Sequence, residues 1–299
     1  MIIKKPAYYD KFKCIADKCE NTCCSGWQIE IDEKSQKKYE NATGKYCDVL
    51  KNSVTKNENG ETVFKQSGLD CIHLKNGLCE IQKNLGENFL CDTCKKFPRW
   101  KNIFGGTTEC GISTACPEAS RLIFAENELG FNCEITDELP SINNIDAEEY
   151  LELTKKRNSV FEKIKNAKSK DDIFNTLYNV INNCEKGTKS NEKLSPTNTL
   201  EFCKTFDYSS KESALFLNEQ NSLTIDEFKN LSFYYVYRYF MLPVLEDIDI
   251  ESTVEFIIFS LLVINETGKK GTVVFAKEVE NCEENMKKLF SYLKNRENW

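Results

Sequence analysis

Cys14-Ile-Ala-Asp-Lys-Cys19-Glu-Asn-Thr-Cys23-Cys24-Ser-Gly26-Trp27 is the stretch on which the reading of the fold turns. Its thiols are closely spaced, as chelating thiols are. The chain then supplies Cys47, Cys71, Cys79, the pair Cys91-x2-Cys94, Cys110 and Cys116, so that 11 of the 15 cysteines fall within the first 116 residues. Soft thiolate ligands arriving in groups from several segments suit zinc or an iron–sulfur cluster. Disulfides are the competing use of so many cysteines. Residues 1–10, MIIKKPAYYD, carry no apolar stretch or cleavage site of a secretory signal, so a reducing, cytoplasmic setting is expected. The odd cysteine total and the adjacent Cys23-Cys24 favour metal over disulfides in the same way.

Texture divides the chain in two. Residues 1–135 are rich in Cys, Gly and short polar turns, with little helical periodicity, as expected where ligands rather than apolar stripes fix the backbone. Short helices are expected to begin near Asp32 and Pro117. Residues 136–299 turn helical. Asp146, Ser169 with Asp172, Ser195 before Pro196, and Thr224 with Glu227 read as helix starts. Leu151, Phe161 and Ile164 supply an apolar face, residues 228–241 form an aromatic stripe of core character, and two further helices are expected near 249–265 and 272–296. The predicted fold class is mainly α: an irregular cysteine-rich metal-binding domain, 1–135, followed by an all-α helical domain, 136–299, with a role in substrate docking.

Charge narrows the function. The net charge is −7, with 18 Lys+Arg against 16 Asp+Glu in residues 1–120 and 22 against 31 beyond. The second part thus carries −9. A nucleic-acid surface needs a basic stripe, so nucleic acid is not an expected partner. The longest apolar run, FIIFSLLVI at 256–264, is far shorter than the ~20 residues that span a bilayer, and no membrane insertion is expected.

Four blocks carry a family likeness: the opening stretch through Cys23-Cys24-Ser-Gly26-Trp27; Gly77-Leu-Cys79-Glu-Ile; Leu85-Gly86-Glu87-x3-Cys91-x2-Cys94-x2-Phe97-Pro98-Arg99; and Cys116-Pro117-Glu118-Ala119-x-Arg121-Leu122. Together, over about residues 8–125, they resemble the flagellin lysine N-methylase family, which looks related to a broader class of cysteine-rich zinc- or iron-chelating domains. The resemblance implies an enzyme that moves methyl groups from S-adenosylmethionine to the ε-amino groups of flagellin lysines, assisted by a 4Fe-4S cluster held by the cysteine blocks. Zinc is the alternative metal.

Cys91 and Cys94 are the best chelating pair by spacing, with Cys19, Cys23 and Cys24 next. Cys14, Cys71, Cys79 and Cys116 complete the candidate ligands. Cys133, Cys184, Cys203 and Cys282 read as buried free thiols. His73, the only histidine, lies between Cys71 and Cys79, as a minor candidate ligand or, more simply, a surface or packed ring. Without other imidazoles, a base for the substrate ammonium has to be a carboxylate, tyrosine or water, and Glu87 and Glu118 are candidates by their place in the motifs. Arg99 and Arg121 could fork onto the methionine carboxylate or form salt bridges, and Trp27 could stack on adenine or pack in the small core. A Gly-rich dinucleotide fingerprint and the Cys-x3-Cys-x2-Cys spacing of radical enzymes are both missing. A non-catalytic zinc- or iron-binding module and an iron–sulfur redox protein would use the same cysteines.

Overall fold

The computed structural model describes residues 1–19, 21–137, 145–183, 194–218 and 221–294. The chain divides into two compact units. One, here the helical unit, comprises Met1–Phe12, Lys101–Ala115 and Ala119–Trp299, and the other, the cysteine unit, comprises Lys13–Trp100 and Cys116–Glu118. That division differs from the compositional boundary at 135, because residues at both edges of the cysteine-rich texture pair into a sheet that packs with the helices.

The helical unit also includes a sheet whose strands all lie within residues 1–135, a part expected to be irregular, while the described residues of 136–299 form helices without a strand. It holds a four-stranded mixed sheet in the order Phe131–Ile135, Ile2–Pro6, Thr107–Ile112, Arg99–Phe104. Ile2–Pro6 runs antiparallel to Phe131–Ile135, with Ile2 opposite Ile135, and parallel to Thr107–Ile112, with Ile2 opposite Thr107. These partners are distant in sequence and each strand is short, so no local pattern announces the pairing.

The caps read from the sequence form as expected. Asp32 accepts the Ser35 N–H ahead of Glu33–Glu40, and Asp146 accepts the Glu148 and Glu149 N–H groups ahead of Ala147–Asn166. Ser169/Asp172 and Thr224/Glu227 make full capping boxes before Lys170–Asn182 and Ile225–Tyr239, and Ser195 caps Pro196–Cys203. Each such cap contributes about 1 kcal/mol. Helix Ala147–Asn166 buries Leu153, Arg157, Val160, Phe161 and Ile164, whereas Leu151 is exposed.

The aromatic stripe is core. In Ile225–Tyr239, Phe228, Phe233, Tyr234, Tyr235 and Tyr237 are fully buried, and Phe233 lies 4.4 Å ring to ring from Phe161. The apolar run at 256–264 sits inside Ile250–Phe275, one helix in hydrogen bonding but broken at Gly268, where φ is 71° and ψ −164°. No helix among the described residues is long and apolar enough to cross a membrane. Where 272–296 was expected to be one helix, a π-helical turn, Ala276–Glu280, precedes a separate helix, Glu283–Lys294.

Arg157 fixes its helix to the sheet. Its guanidinium donates to both carboxylate oxygens of Glu109, at 2.7 and 2.5 Å, with both side chains almost wholly buried, and the Lys4 ammonium stands 3.6 Å from the same carboxylate.

Candidate metal centre

The cysteine unit is built from short pieces, and tight turns decide where its sulfurs go. Gly68, with φ at 64°, helps turn Gln66–Ser67 back into Asp70–Cys71, setting Gln66 opposite Cys71. Asn76 and Gly77, both at positive φ, turn Leu74–Lys75 into Leu78–Cys79, with Leu74 opposite Cys79. Paired positive φ values are what a two-residue hairpin of matching twist requires. Cys79 then precedes the helix Glu80–Leu85, and Cys91 the helix Asp92–Lys96, each occupying the N-cap position. Cys94 follows in the first turn of the second helix. Thiolates are favoured at such positions by the unpaired N–H groups of a helix start.

The loop of Cys23, Cys24, Ser25 and Gly26 is strapped to the first hairpin. The Cys71 N–H donates to the Cys24 carbonyl at 2.7 Å, Ser25 pairs with Asp70, and the Gly26 N–H donates to the Leu69 carbonyl at 3.0 Å. Asp32 positions the Cys91 turn: besides capping its own helix it accepts the Asp92 N–H at 2.8 Å.

The result is one core containing Cys71 and Cys91, buried with Ile29, Ile31, Leu50, Phe64 and Ile81, against which Cys24, Cys79 and Cys94 pack. Cys23, adjoining Cys24, is exposed. The thiols perturb one another. Hydrogen bonding with Cys23 holds the Cys24 thiol below its ordinary range, and hydrogen bonding with Cys94 does the same for Cys91. Cys94 is pushed far upward by that bond to Cys91 and by burial, while burial raises Cys71 to about 11 and also raises Cys79.

Of the nine cysteines nominated from sequence, five share this core, Cys24, Cys71, Cys79, Cys91 and Cys94, and the exposed Cys23 is hydrogen-bonded to Cys24. Cys14 is exposed, Cys19 is half-buried at the end of the turn Ala16–Lys18, and Cys116 is half-buried just before Pro117–Phe124. None of these three is among the residues of that core, and neither is Cys23. The 14 described cysteines are free thiols. Cys203 is buried as expected, but Cys133 is exposed and Cys282 half-buried, and Cys184 lies outside the described residues. Cys47 is buried and donates its thiol to the Thr43 carbonyl.

The donor chemistry fits a thiolate-held metal: six sulfurs from four segments, with no imidazole among them. Five of these cysteines pack in one core and Cys23 is exposed, and no three His, Cys, Asp or Glu side chains among the described residues are spaced to hold one ion. His73 is not available as a ligand. It is buried, its Nδ1 is 2.9 Å from the Tyr46 hydroxyl, and its Nε2 is 2.6 Å from the Ser53 hydroxyl, which itself donates to the Leu50 carbonyl. Ser53 therefore accepts from Nε2–H, and Tyr46 donates to Nδ1. Burial lowers the ring's pKa to about 4, keeping it neutral.

The remaining candidates are scattered. Glu87 opens the exposed turn Glu87–Phe89, Glu118 is half-buried in the cysteine unit, Arg99 is an exposed residue of that unit, and Arg121 is exposed in the helical unit. Trp27 is 39% exposed, its ring centre 6.2 Å from that of Phe97, and its indole N–H donates to the Cys23 carbonyl at 2.9 Å.

Sequence reading also missed a polar group inside the helical unit. Tyr235 and Tyr239 both donate to the Glu280 carboxylate, Arg238 stands 3.3 Å from it, and Arg238 also donates to the Ser113 hydroxyl at 2.9 Å. The charged residues there are 42 positions apart and look like ordinary surface charges in sequence; only the tyrosine-rich helix hinted that hydroxyls would need partners.

Comparison with known proteins adds three relatives. Over 128 residues the chain is 31% identical to the flagellar biosynthetic protein FliU of Salmonella muenchen, a match covering 40% of this chain and 76% of that protein. It is 30% identical over 128 residues to lysine-N-methylases of Salmonella typhimurium and Salmonella choleraesuis, covering 32% of each, so this chain spans about a third of their length. No family model and no solved structure matches the chain.

Proposed function

The chain belongs to the family of the flagellar biosynthetic protein FliU, and from that membership we propose that it takes part in methylating lysine side chains of flagellin or another lysine-bearing protein, with S-adenosylmethionine as methyl donor. The observation that carries this reading is the 30% identity, over 128 residues, to two proteins named lysine-N-methylase. A lysine ammonium must first lose a proton; its nitrogen then attacks the sulfonium methyl in line, the methyl–sulfur bond breaks, and the sulfur keeps the electron pair. Glu87 and Glu118 are the proposed proton acceptors. The guanidinium of Arg99 or Arg121 would pair with the donor's carboxylate. The excess of acidic residues beyond position 120 would attract a lysine-bearing surface, an attraction that weakens as salt rises.

In the proposed centre Cys23, Cys24, Cys71, Cys79, Cys91 and Cys94 are the thiolates that would hold a 4Fe-4S cluster or zinc. Such a cluster would supply redox chemistry, and zinc structural closure and Lewis acidity. A second reading, a non-catalytic thiolate metal module, is favoured by one observation: the relative matched over most of its length, 76%, carries a name that states no enzymatic activity. The two are separated by incubating metal-replete, anaerobically purified protein with S-adenosylmethionine and flagellin and weighing the flagellin peptides. Mass steps of one methyl group on lysine support the first reading; unmodified flagellin, with no binding of S-adenosylmethionine by calorimetry, leaves the second.

A further inference from the structure

Phe131–Ile135 ends the mixed sheet on one side, with Ile2–Pro6 as its neighbour, and Asn132, Cys133, Glu134 and Ile135 are exposed. The direction of each backbone group follows from the register. Met1 and Thr136 exchange hydrogen bonds, the Thr136 N–H donating to the Met1 carbonyl at 2.9 Å and the Met1 ammonium to the Thr136 carbonyl at 2.8 Å. Bonded and unbonded pairs alternate along an antiparallel ladder, so Ile3 with Glu134 and Lys5 with Asn132 are the next bonded pairs. Pro6, which has no N–H to give, lies opposite Phe131, where none is called for. The N–H and C=O groups of Phe131, Cys133 and Ile135 therefore point away from the sheet, and no further strand among the described residues takes them up. Proteins blunt such an edge with lysine, proline or an unpaired charge. This strand has neither lysine nor proline, and its Glu134 carboxylate is held by Lys5 at 3.1 Å.

We propose that this edge joins two copies of the chain, each adding its Phe131–Ile135 antiparallel to the other's in the register that sets Cys133 opposite Cys133 of the partner subunit. The strand is its own complement in that register. A two-fold axis at Cys133, the middle residue, puts Phe131 opposite Ile135 and Asn132 opposite Glu134, so every outward-pointing N–H meets a C=O. Ile135, 88% exposed, gains the Phe131 ring of the other copy, and Ile2, exposed beside it, lies in the same apolar row. The Asn132 amide can donate to the Glu134 carboxylate across the axis. Centring on Glu134 instead would oppose two carboxylates and call on backbone groups already bonded to Ile2–Pro6. The interface is independent of the thiolate centre and of the methylation reading.

The test is sedimentation velocity of the full-length protein in reducing buffer, over a concentration series from micromolar to millimolar, with a short thiol-to-thiol cross-linker applied in parallel and its products mapped by mass spectrometry. One strand pair buries less than the ~1,200 Å² of a stable complex, so a dimer that forms progressively with concentration is expected, with Cys133 cross-linked to Cys133. Cys133→Pro removes an outward-pointing N–H, a change that an edge strand tolerates. Losing both central hydrogen bonds is expected to weaken the dimer roughly 10-fold or more, with the melting temperature kept. Ile135→Lys alters an exposed side chain and is expected to weaken the dimer as well; it decides the matter if the proline variant melts early. Cys133→Ser, followed by sedimentation alone, is expected to dimerise like the wild type, because the backbone and not the thiol makes the contact. A wild-type protein that stays monomeric throughout the series overturns the proposal. Self-association that Cys133→Pro and Ile135→Lys both leave unchanged overturns it too, as do cross-links between copies that never join Cys133 to Cys133.

Discussion

Asp32 holds two pieces of the cysteine unit with one carboxylate, accepting the Ser35 N–H to cap one helix and the Asp92 N–H beside Cys91. Partial burial works against its ionised form, but these hydrogen bonds prevail and hold its pKa at about 2, below the ordinary 3.8. A lowered carboxylate pKa contributes stability that is complete above 3.8 and lost as pH falls towards 2. Asp32→Ala is expected to cost about 1–2 kcal/mol at neutral pH in urea unfolding, with the deficit shrinking across that acid window. A deficit independent of pH there would contradict the account. Arg157 is the corresponding residue in the helical unit. Replacing it with Met strands the buried Glu109 carboxylate and is expected to cost about 3–5 kcal/mol, most of it regained in Arg157→Met/Glu109→Leu. Thermal melts of the single and double variants decide this, and a double variant no more stable than the single would show that the pair is not an isolated unit. Neither partner could have been matched to the other from sequence, because 48 residues separate them and nothing local marks the pairing.

At the scale of elements, the helix starts were legible because each is a local event: Asp32, Ser169, Ser195 and Thr224 satisfy N–H groups two or three residues ahead. The helix ends were less so. Gly268 breaks Ile250–Phe275 where the Asn221 backbone approaches: a Cβ on Gly268 would meet the Asn221 Cβ at 2.7 Å and its carbonyl oxygen at 2.9 Å, and the Asn221 N–H takes up the Glu266 carbonyl at 3.1 Å. That contact depends on a segment 47 positions earlier, so the sequence reading placed a gap between two helices without its cause. Gly268→Ala combines a conformation essentially restricted to glycine with this overlap, and is expected to destabilise the protein by about 2 kcal/mol or more. Calorimetric melting checks it; an unchanged melting temperature would mean that the kink relaxes freely.

For the whole molecule, composition separated a cysteine-rich part from a helical part, and the helical character stands. The sheet went unseen because Ile2–Pro6 pairs with strands more than a hundred residues away, although Arg99–Phe104 and Thr107–Ile112 pair across the two-residue turn Gly105-Gly106, and the division by contacts therefore differs from the boundary drawn at 135. In the candidate centre, the spacing of Cys91 and Cys94 was enough to single them out, and the block containing Cys23 and Cys24 likewise. What spacing could not tell was that Cys71 and Cys79 are brought in by two hairpins while Cys14, Cys19 and Cys116 are not part of that core. The most direct test of the central claim is X-ray absorption at the metal edge of the full-length protein purified without oxygen. The five cysteines that share one core predict a first shell of sulfur alone, at about 2.3 Å, preserved in Cys14→Ser and Cys19→Ser and eroded in Cys91→Ser and Cys94→Ser. A shell of nitrogen and oxygen, or one indifferent to Cys91 and Cys94 but dependent on Cys14 and Cys19, would contradict it.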